Sequence, residues 1–288
     1  MLSPDRRLRE LLASGRLLVV PGAADALTAR IVETVGFEAV YITGAGLANR
    51  FLGVPDIGIL SLPELVAHVA AIRETVELPL IVDADTGFGN AVNVWHTVRR
   101  LERAGAAAIQ LEDQSFPKRC GHFTGKQVIA AAEMEQKIRA AVDARRDPDL
   151  LIIARSDARA VEGIGAACER ANRYHAAGAD LLFVEGPSTV GEIEQVATAV
   201  PGPKLLNLVE GGVTPPLPHR RIAALGFAVV LYANLALLGA IEGTRAVLSH
   251  LRAGGDPAGR PPIASWDERQ ALVGKPFFDA LERRFASD

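Results

Sequence analysis

Eight short apolar runs rich in β-branched residues recur along the chain, at 17–20, 39–42, 80–82, 108–111, 151–154, 181–184, 205–208 and 228–231. Between them lie longer stretches, such as 62–76, 92–104, 133–144 and 165–177, whose apolar residues fall three and four positions apart. Runs this short suit buried strands, whereas the intervening spacing is that of a helix with one apolar face. Strand and helix in alternation predict parallel strands joined by helical crossovers, and eight such units suggest closure. An open doubly wound sheet is the competing arrangement, but no G-x-G-x-x-G leads from the first strand into a helix. The chain therefore reads as an α/β protein, a (β/α)8 TIM-type barrel, with residues 1–252 as its catalytic domain. Residues 254–262 are rich in Gly and Pro. They introduce an extra C-terminal helical segment, so that 253–288 is read as connector plus helix within the same fold unit. The aromatic face of that helix, including Phe277 and Phe278, needs a partner, either its own barrel or a neighbouring subunit.

With 288 residues, 49% of them hydrophobic, the chain can bury one large core. A formal charge of -3 and a pI near 6.1 leave no basic surface for phosphates, and the Arg pairs at 99–100, 145–146 and 220–221 are scattered. Nucleic acid is thus not expected as a partner. The N-terminal residues are polar, and no apolar run approaches the roughly 20 residues that span a bilayer, so no membrane contact and a cytoplasmic location are expected. Two cysteines, Cys120 and Cys168, make no disulfide framework.

Polar groups follow the apolar runs: Tyr41-Ile42-Thr43-Gly44, Asp83-Ala84-Asp85, Glu112-Asp113-Gln114, Arg155-Ser156-Asp157, Glu185, and Asn207 to Glu210. Barrel active sites are built at these carboxyl ends. Asp83 and Asp85, two residues apart, are expected on the same side of a strand. Two like charges need a counter-charge, and a hard divalent cation supplies it, with Glu112 and Asp56 adding oxygens directly or through water. Mg2+, or Mn2+ in its place, fits because no His or Cys stands at zinc spacing. Isolated strand-end acids also cap the helices that follow them. Arg155 suits bidentate grip of a carboxylate, and equally an ion pair with Asp157 or Glu185. Gly44 and Gly46, in Thr43-Gly44-Ala45-Gly46, offer backbone N–H groups to a substrate oxygen, or form a plain strand-to-helix turn. In Lys118-Arg119-Cys120-Gly121-His122, the thiol is either a small loop hydrophobe or a group tuned by its cationic neighbours, below the ~8.5 of a free Cys. Its polar, Gly-containing loop favours chemistry. His122 is expected to orient the loop or substrate, His68, His96 and His175 to be helix-surface or packing residues, and Cys168 to be core.

Taken in order, Asp83-Ala84-Asp85-Thr86-Gly87-Phe88-Gly89, Glu112-Asp113-Gln114, Lys118-Arg119-Cys120-Gly121-His122, Ala154-Arg155-Ser156-Asp157-Ala158 and Asn207-Leu208-Val209-Glu210-Gly211-Gly212 resemble the isocitrate lyase and phosphoenolpyruvate mutase superfamily over most of the chain. The resemblance implies a (β/α)8 barrel, a homotetramer with the C-terminal helix exchanged between subunits, and Mg2+-dependent chemistry on small α-oxyacids. A Cys in the Lys118 to His122 loop is similar to the lyase branch. It implies cleavage of a 2-hydroxy acid to a 2-oxoacid such as pyruvate and an enolate-like carboxylate, with Cys120 as the acid that protonates the latter and Tyr41 as a candidate base. His122 and Arg155 join them as catalytic candidates, and Thr43, Gly44, Ala45, Gly121, Arg155, Glu185 and Asn207 are the expected substrate contacts.

Two departures bear on the substrate. Methylisocitrate lyases are expected to carry an Arg a few residues after the last strand, where this chain has Ala233-Asn234-Leu235-Ala236, which points to a dicarboxylate of the 2-alkylmalate or dimethylmalate type. Thr43 replaces the usual Ser, and its methyl narrows the oxoacid pocket. The competing readings are oxaloacetate decarboxylation, which needs no protonating thiol, and a non-catalytic barrel that binds an oxoacid. Phosphonate mutase activity is a more remote alternative.

Overall fold

The computed structural model of the protein describes residues 2–119, 121 and 125–286. Eight parallel strands close into a barrel in sequence order: β1 (Leu18–Ala23), β2 (Val40–Ile42), β3 (Leu80–Asp83), β4 (Ala108–Glu112), β5 (Leu151–Ser156), β6 (Leu181–Val184), β7 (Lys204–Asn207) and β8 (Val229–Tyr232). Around them run α1 (Pro4–Ala13), α2 (Ala26–Val35), α3 (Gly44–Leu47), α4 (Leu62–Arg73), α5 (Ala91–Arg103), α6 (Ala131–Ala144), α7 (Arg159–Glu162), α8 (Ile164–Ala176), α9 (Val190–Ala199) and α10 (His219–Ala224). All eight expected strands and the four expected helices occur, with ends shifted by up to three residues. Among the described residues, no helix is long and apolar enough to cross a membrane.

Strand alternation sorts the barrel's side chains into two apolar sets. One set, including Val40, Ile42, Val82, Ile109, Ile152 and Val230, packs with the helices. The other, including Leu18, Val20, Tyr41, Ile81, Ile153, Phe183, Leu205, Val229 and Leu231, fills the interior together with Leu8 of α1. Helix α1 starts on Pro4 and is capped by Ser3, whose hydroxyl accepts from the Arg6 amide. Leu8 is buried within the interior set, while Arg9 binds the backbone oxygens of Pro148 and Asp149 and the carboxylate of Asp180, fixing α1 across the amino-terminal end of the strands. Burying one Leu contributes about 1.5–3 kcal/mol. With that end filled by leucines, the polar ends of the interior-facing series are left at the carboxyl mouth: 81 leads to Asp83, 110 to Glu112, 153 to Arg155, 183 to Glu185 and 205 to Asn207.

Two compact units make up the chain, Met1–Leu235 and Ala236–Asp288. The second unit holds α11 (Leu235–Arg252), α12 (Trp266–Leu272) and α13 (Lys275–Phe285). The apolar periodicity of α11 reads as that of a packed crossover helix, yet no side chain of α11 is buried. A capping box of Ser265 and Glu268 starts α12.

Candidate active site

Register places the mouth residues beside one another. Asp83 is the partner of Gln110 across β3 and β4, Glu112 of Arg155 across β4 and β5, and Arg155 of Phe183 across β5 and β6. Accordingly the Gln110 amide donates to Asp83 Oδ1 at 3.3 Å, and Arg155 Nε stands 3.4 Å from Glu112 Oε2. The Arg155 guanidinium lies 5.2 Å above the Phe183 ring, a favourable seat for a desolvated cation. It also donates twice to Asp157, at 2.8 and 3.0 Å, and lies 3.2 Å from Glu185. Arg155 is therefore a buried ion-pair hub, as one of the two sequence readings has it.

The expectation that Asp83 and Asp85 share one side of an extended strand needs correction. Strand β3 ends at Asp83, and Asp85 takes φ 49°, a left-handed conformation that Asp tolerates better than most residues, within a turn closed by the Gly87 amide on the Ala84 oxygen. The two carboxylates meet nonetheless. A Cβ placed on Gly44 would stand 3.2 Å from both Asp83 Oδ2 and Asp85 Oδ1, so the glycine leaves the space in front of this oxygen pair open. The Gly44 amide itself donates to Asp83 Oδ2. Asp85 Oδ1 and Glu112 Oε1 are buried and accept no hydrogen bond among the described residues.

Lys118 extends its ammonium between Asp56 and Asp85, 2.9 Å from Asp85 Oδ1. Burial opposes its charge, but Asp85, Glu112, Asp56 and Asp83 outweigh that and hold its proton well above the ordinary lysine range. Asp85 is pushed up to about 7 by burial, against the pull of Lys118 and with Asp83 and Asp56 adding to the rise. Burial likewise raises Glu112, and Arg155 only partly offsets it. Burial, then the charge of Asp83, raises the Tyr41 phenol well above its usual value. The candidate base Tyr41 therefore keeps its proton and is hydrogen-bonded with Asp83.

A small cavity, about 40 Å³, is lined by Tyr41, Thr43, Ala45, Asp56, Asp83, Gly121, Arg155, Phe183, Glu185, Asn207, Val209, Leu231, Ala233 and Asn234. A larger one of about 570 Å³ runs along residues 114–119 and 125–127 with Ile57, and no strand-end acid lines it. The polar strand ends converge on the smaller. Cys120 and His122 lie outside the described residues, but Gly121 between them is placed. A Cβ there would stand 2.2 Å from Arg155 Nη2 and 2.8 Å from Glu185 Cγ, so the loop backbone comes down onto the arginine and any larger residue would displace these two side chains. Thr43 donates to Asn234 Oδ1 and caps α3 by accepting from the Gly46 amide, so it is held on two sides. Gln110, Lys118, Lys126, Asp157, Phe183 and Asn234 were absent from the sequence-based site. For Gln110 and Phe183 the interior-facing alternation was a usable signal, whereas nothing local marks where a lysine will end.

Could these residues hold a divalent cation? Among the described residues no three His, Cys, Asp or Glu groups form a ready-made chelate. Mg2+ does not need one, since it commonly takes one or two carboxylates and completes its shell with water and substrate oxygens. The adjoining Asp83 and Asp85 oxygens, the space before Gly44 and the unbonded Glu112 oxygen fit that requirement.

Charged strand ends gathered at the carboxyl mouth of a closed barrel are the arrangement of a (β/α)8 enzyme. The chain belongs to the phosphoenolpyruvate mutase/isocitrate lyase superfamily, matching the family Phosphoenolpyruvate phosphomutase over residues 8–252. It is 43% identical over 282 residues to the 2,3-dimethylmalate lyase of Eubacterium barkeri, covering 98% of each chain, and 44% identical over 248 residues to the 2-methylisocitrate lyase of Aeropyrum pernix, covering 86% of this chain and 80% of that one. A crystal structure of 2,3-dimethylmalate lyase superposes with a TM-score of 0.92 at 33% identity, over 99% of this chain and 96% of that one. Phosphonopyruvate hydrolase in complex with oxalate and Mg2+ superposes with a TM-score of 0.89 at 35% identity, over 99% of each. Within the superfamily its kinship is with carbon–carbon lyases of the isocitrate lyase type.

Proposed function

We propose that the protein is a Mg2+-dependent lyase that cleaves a 2-hydroxy dicarboxylate of the 2-alkylmalate or dimethylmalate type into a 2-oxoacid such as pyruvate and a carboxylate. The observation that carries this reading is the charge of the small cavity. Three carboxylates, Asp56, Asp83 and Glu185, line it; Lys118 pairs with Asp56 and Arg155 with Glu185, Asp83 pairs with no cation among the described residues, and the remaining wall includes apolar Phe183, Val209, Leu231 and Ala233. A dicarboxylate cannot enter such a site without further positive charge, and a divalent cation on Asp83 and Asp85, with Glu112 and Asp56 reached through water, would balance it. A third carboxylate, as in methylisocitrate, would find no second cation among the described lining residues, whereas alkyl branches would find the apolar wall.

Bound Mg2+ would supply Lewis acidity for the oxygens on which negative charge develops. Arg155, held by Asp157, Glu112 and Glu185, grips a substrate carboxylate. With the Thr43 amide on the Ala23 oxygen and the Gly44 amide on Asp83, the Ala45 amide is the donor for the oxoacid oxygen, and preorganised donors of this kind commonly supply a large share of catalysis. The C2 hydroxyl gives up its proton to a carboxylate of the cavity wall, Asp56 or Glu185, which later returns it to the thiolate; the C2–C3 pair moves to C3 as an enolate of the departing carboxylate, and C2 becomes the ketone. Cys120 then delivers its thiol proton to C3 and is left as thiolate, to be reprotonated before the next turnover. Tyr41, keeping its own proton, steadies Asp83.

A panel of substituted malates and methylisocitrate, each incubated with enzyme with and without Mg2+, tests the reading by following oxoacid release. Release is expected from the alkylmalates, lost with chelator and restored by Mg2+. No oxoacid from any acid with folded, Mg2+-loaded protein would overturn it. Cys120→Ala is expected to lower cleavage at least 100-fold; near-normal turnover of oxaloacetate by that variant would favour decarboxylation instead.

A further inference from the structure

Residues 113–129 leave β4, pass through Cys120 and return to α6. The base of this loop is a short antiparallel neck: the Ile129 amide donates to the Asp113 oxygen, Gln114 bridges Val128, and the Ser115 amide donates to the Gln127 oxygen. Arg170 of α8 binds the Ile129 oxygen and Asp113 together, and Tyr174 also donates to Asp113, so the neck is fixed to the barrel wall. Above it stands Lys126. Its side chain is 3% exposed, and its ammonium donates to the Gly121 oxygen at 2.6 Å and to Asp157 Oδ1 at 2.7 Å.

Burying an ammonium costs several kcal/mol unless it is paired and hydrogen-bonded. A neck already held by backbone bonds and by Arg170 does not need that cost to stay closed. The placement of the two acceptors suggests another use. Gly121 is the chain neighbour of Cys120 and its Cα lies against Arg155 and Glu185. Asp157 is fully buried, and the oxygen that takes Lys126 also takes Arg155 Nη2. One ammonium thus joins the loop backbone beside the thiol to the carboxylate that aims the guanidinium.

We propose that Lys126 is a positioning residue for the lyase reaction: by clasping the Gly121 carbonyl to Asp157, it sets the loop beside Cys120 and the Arg155 guanidinium in one common geometry. The inference rests on the functional reading above for the roles of Cys120 and Arg155. It links the Gly121 backbone to the carboxylate grip, so that both shift together without the clasp.

Full-length, Mg2+-loaded wild type, Lys126→Met, Lys126→Gln and Lys126→Arg are compared, each first checked for folding by Tm. Hydrogen exchange of the peptide covering 113–129 reads the clasp, calorimetric titration with oxalate reads Arg155, and kcat and KM on the best substrate of the panel read turnover. In the Met and Gln variants exchange is expected to rise above the neck, the oxalate Kd to increase about tenfold and kcat to fall about 100-fold, more than KM rises. The Arg variant, which keeps the cation, is expected to recover at least a tenth of wild-type kcat. Folded Met or Gln variants with wild-type oxalate affinity and kcat would overturn the proposal. So would an Arg variant that folds yet is as impaired as Met, since that marks a packing role. Exchange and oxalate binding need no turnover, so a wild type that binds oxalate but cleaves nothing sinks the functional reading alone, with the Lys126 clasp judged on those two measurements.

Discussion

At the scale of single residues, Lys118 holds together a group of carboxylates that would otherwise repel one another. Its ammonium is 3% exposed and sits between Asp56 and Asp85, with Asp83 and Glu112 close enough to raise its hold on the proton. Removing one partner of a buried ion pair typically costs 3–5 kcal/mol, because the remaining charge is stranded. Lys118→Met, studied in chelator so that no cation replaces the lost charge, is expected to lower Tm by roughly 10 °C. Lys118→Met combined with Asp56→Asn should recover part of that loss, because it removes a stranded charge together with its partner. A Tm unchanged by the single substitution would mean that the carboxylates already share protons enough to need no lysine. The site shows how far residue types carry a reading. Asp83, Glu112, Arg155, Glu185 and Asn207 are legible because each ends an interior-facing strand series whose period is two. Lys118 and Lys126 are not, since a flexible four-carbon stem can reach partners 62 or 31 positions away.

At the scale of elements, α1 sets a pH dependence for the barrel's amino-terminal end. Asp5 lies in its first turn, and burial, then the charges of Asp147, Glu102 and Asp149, push it up to about 6 against the helix backbone that favours its ionised form. Between about pH 4 and 6 the folded chain then binds more protons at this position than the unfolded chain, so its contribution to stability is greatest below pH 4 and declines as pH rises to 6. Asp5→Asn removes the charge that is costly above pH 6. Because Asp5 is only partly buried, screening reduces the gain to about 1 kcal/mol at pH 8, or roughly 2–4 °C in Tm, and the gain should fade toward pH 4. A variant equally stabilised at both pH values would locate the effect elsewhere. Elements were the most legible level. The eight strands were visible as short apolar runs, and 80–82, 108–111 and 151–154 needed only an extension of one or two residues at the polar end. What the runs could not convey is the turn after β3, where Asp85 leaves the extended path, because alternation is informative only while the backbone stays extended.

At the scale of the whole molecule, the unexplained surface is that of the C-terminal unit. Trp266 is 68% exposed, Phe285 73%, and Phe277, Phe278, Leu248 and Leu251 are exposed as well. Phe277 and Phe278 stack edge to face at 5.4 Å, forming one apolar step on α13. Apolar groups gathered in this way mark surfaces that associate, and the resemblance to the superfamily implies a homotetramer with this helix exchanged between subunits. The chain is accordingly expected to sediment as a tetramer at micromolar concentration. Covering a Phe contributes about 1.5–3 kcal/mol, so Phe277→Ser with Phe278→Ser should weaken association roughly 100-fold or more and bring smaller species into view on dilution. The barrel's own melting transition, measured on those smaller species, should persist, since neither Phe belongs to its buried core. A wild type that sediments as a monomer at high micromolar concentration would overturn the expectation. A tetramer indifferent to both substitutions would move the contact to another face.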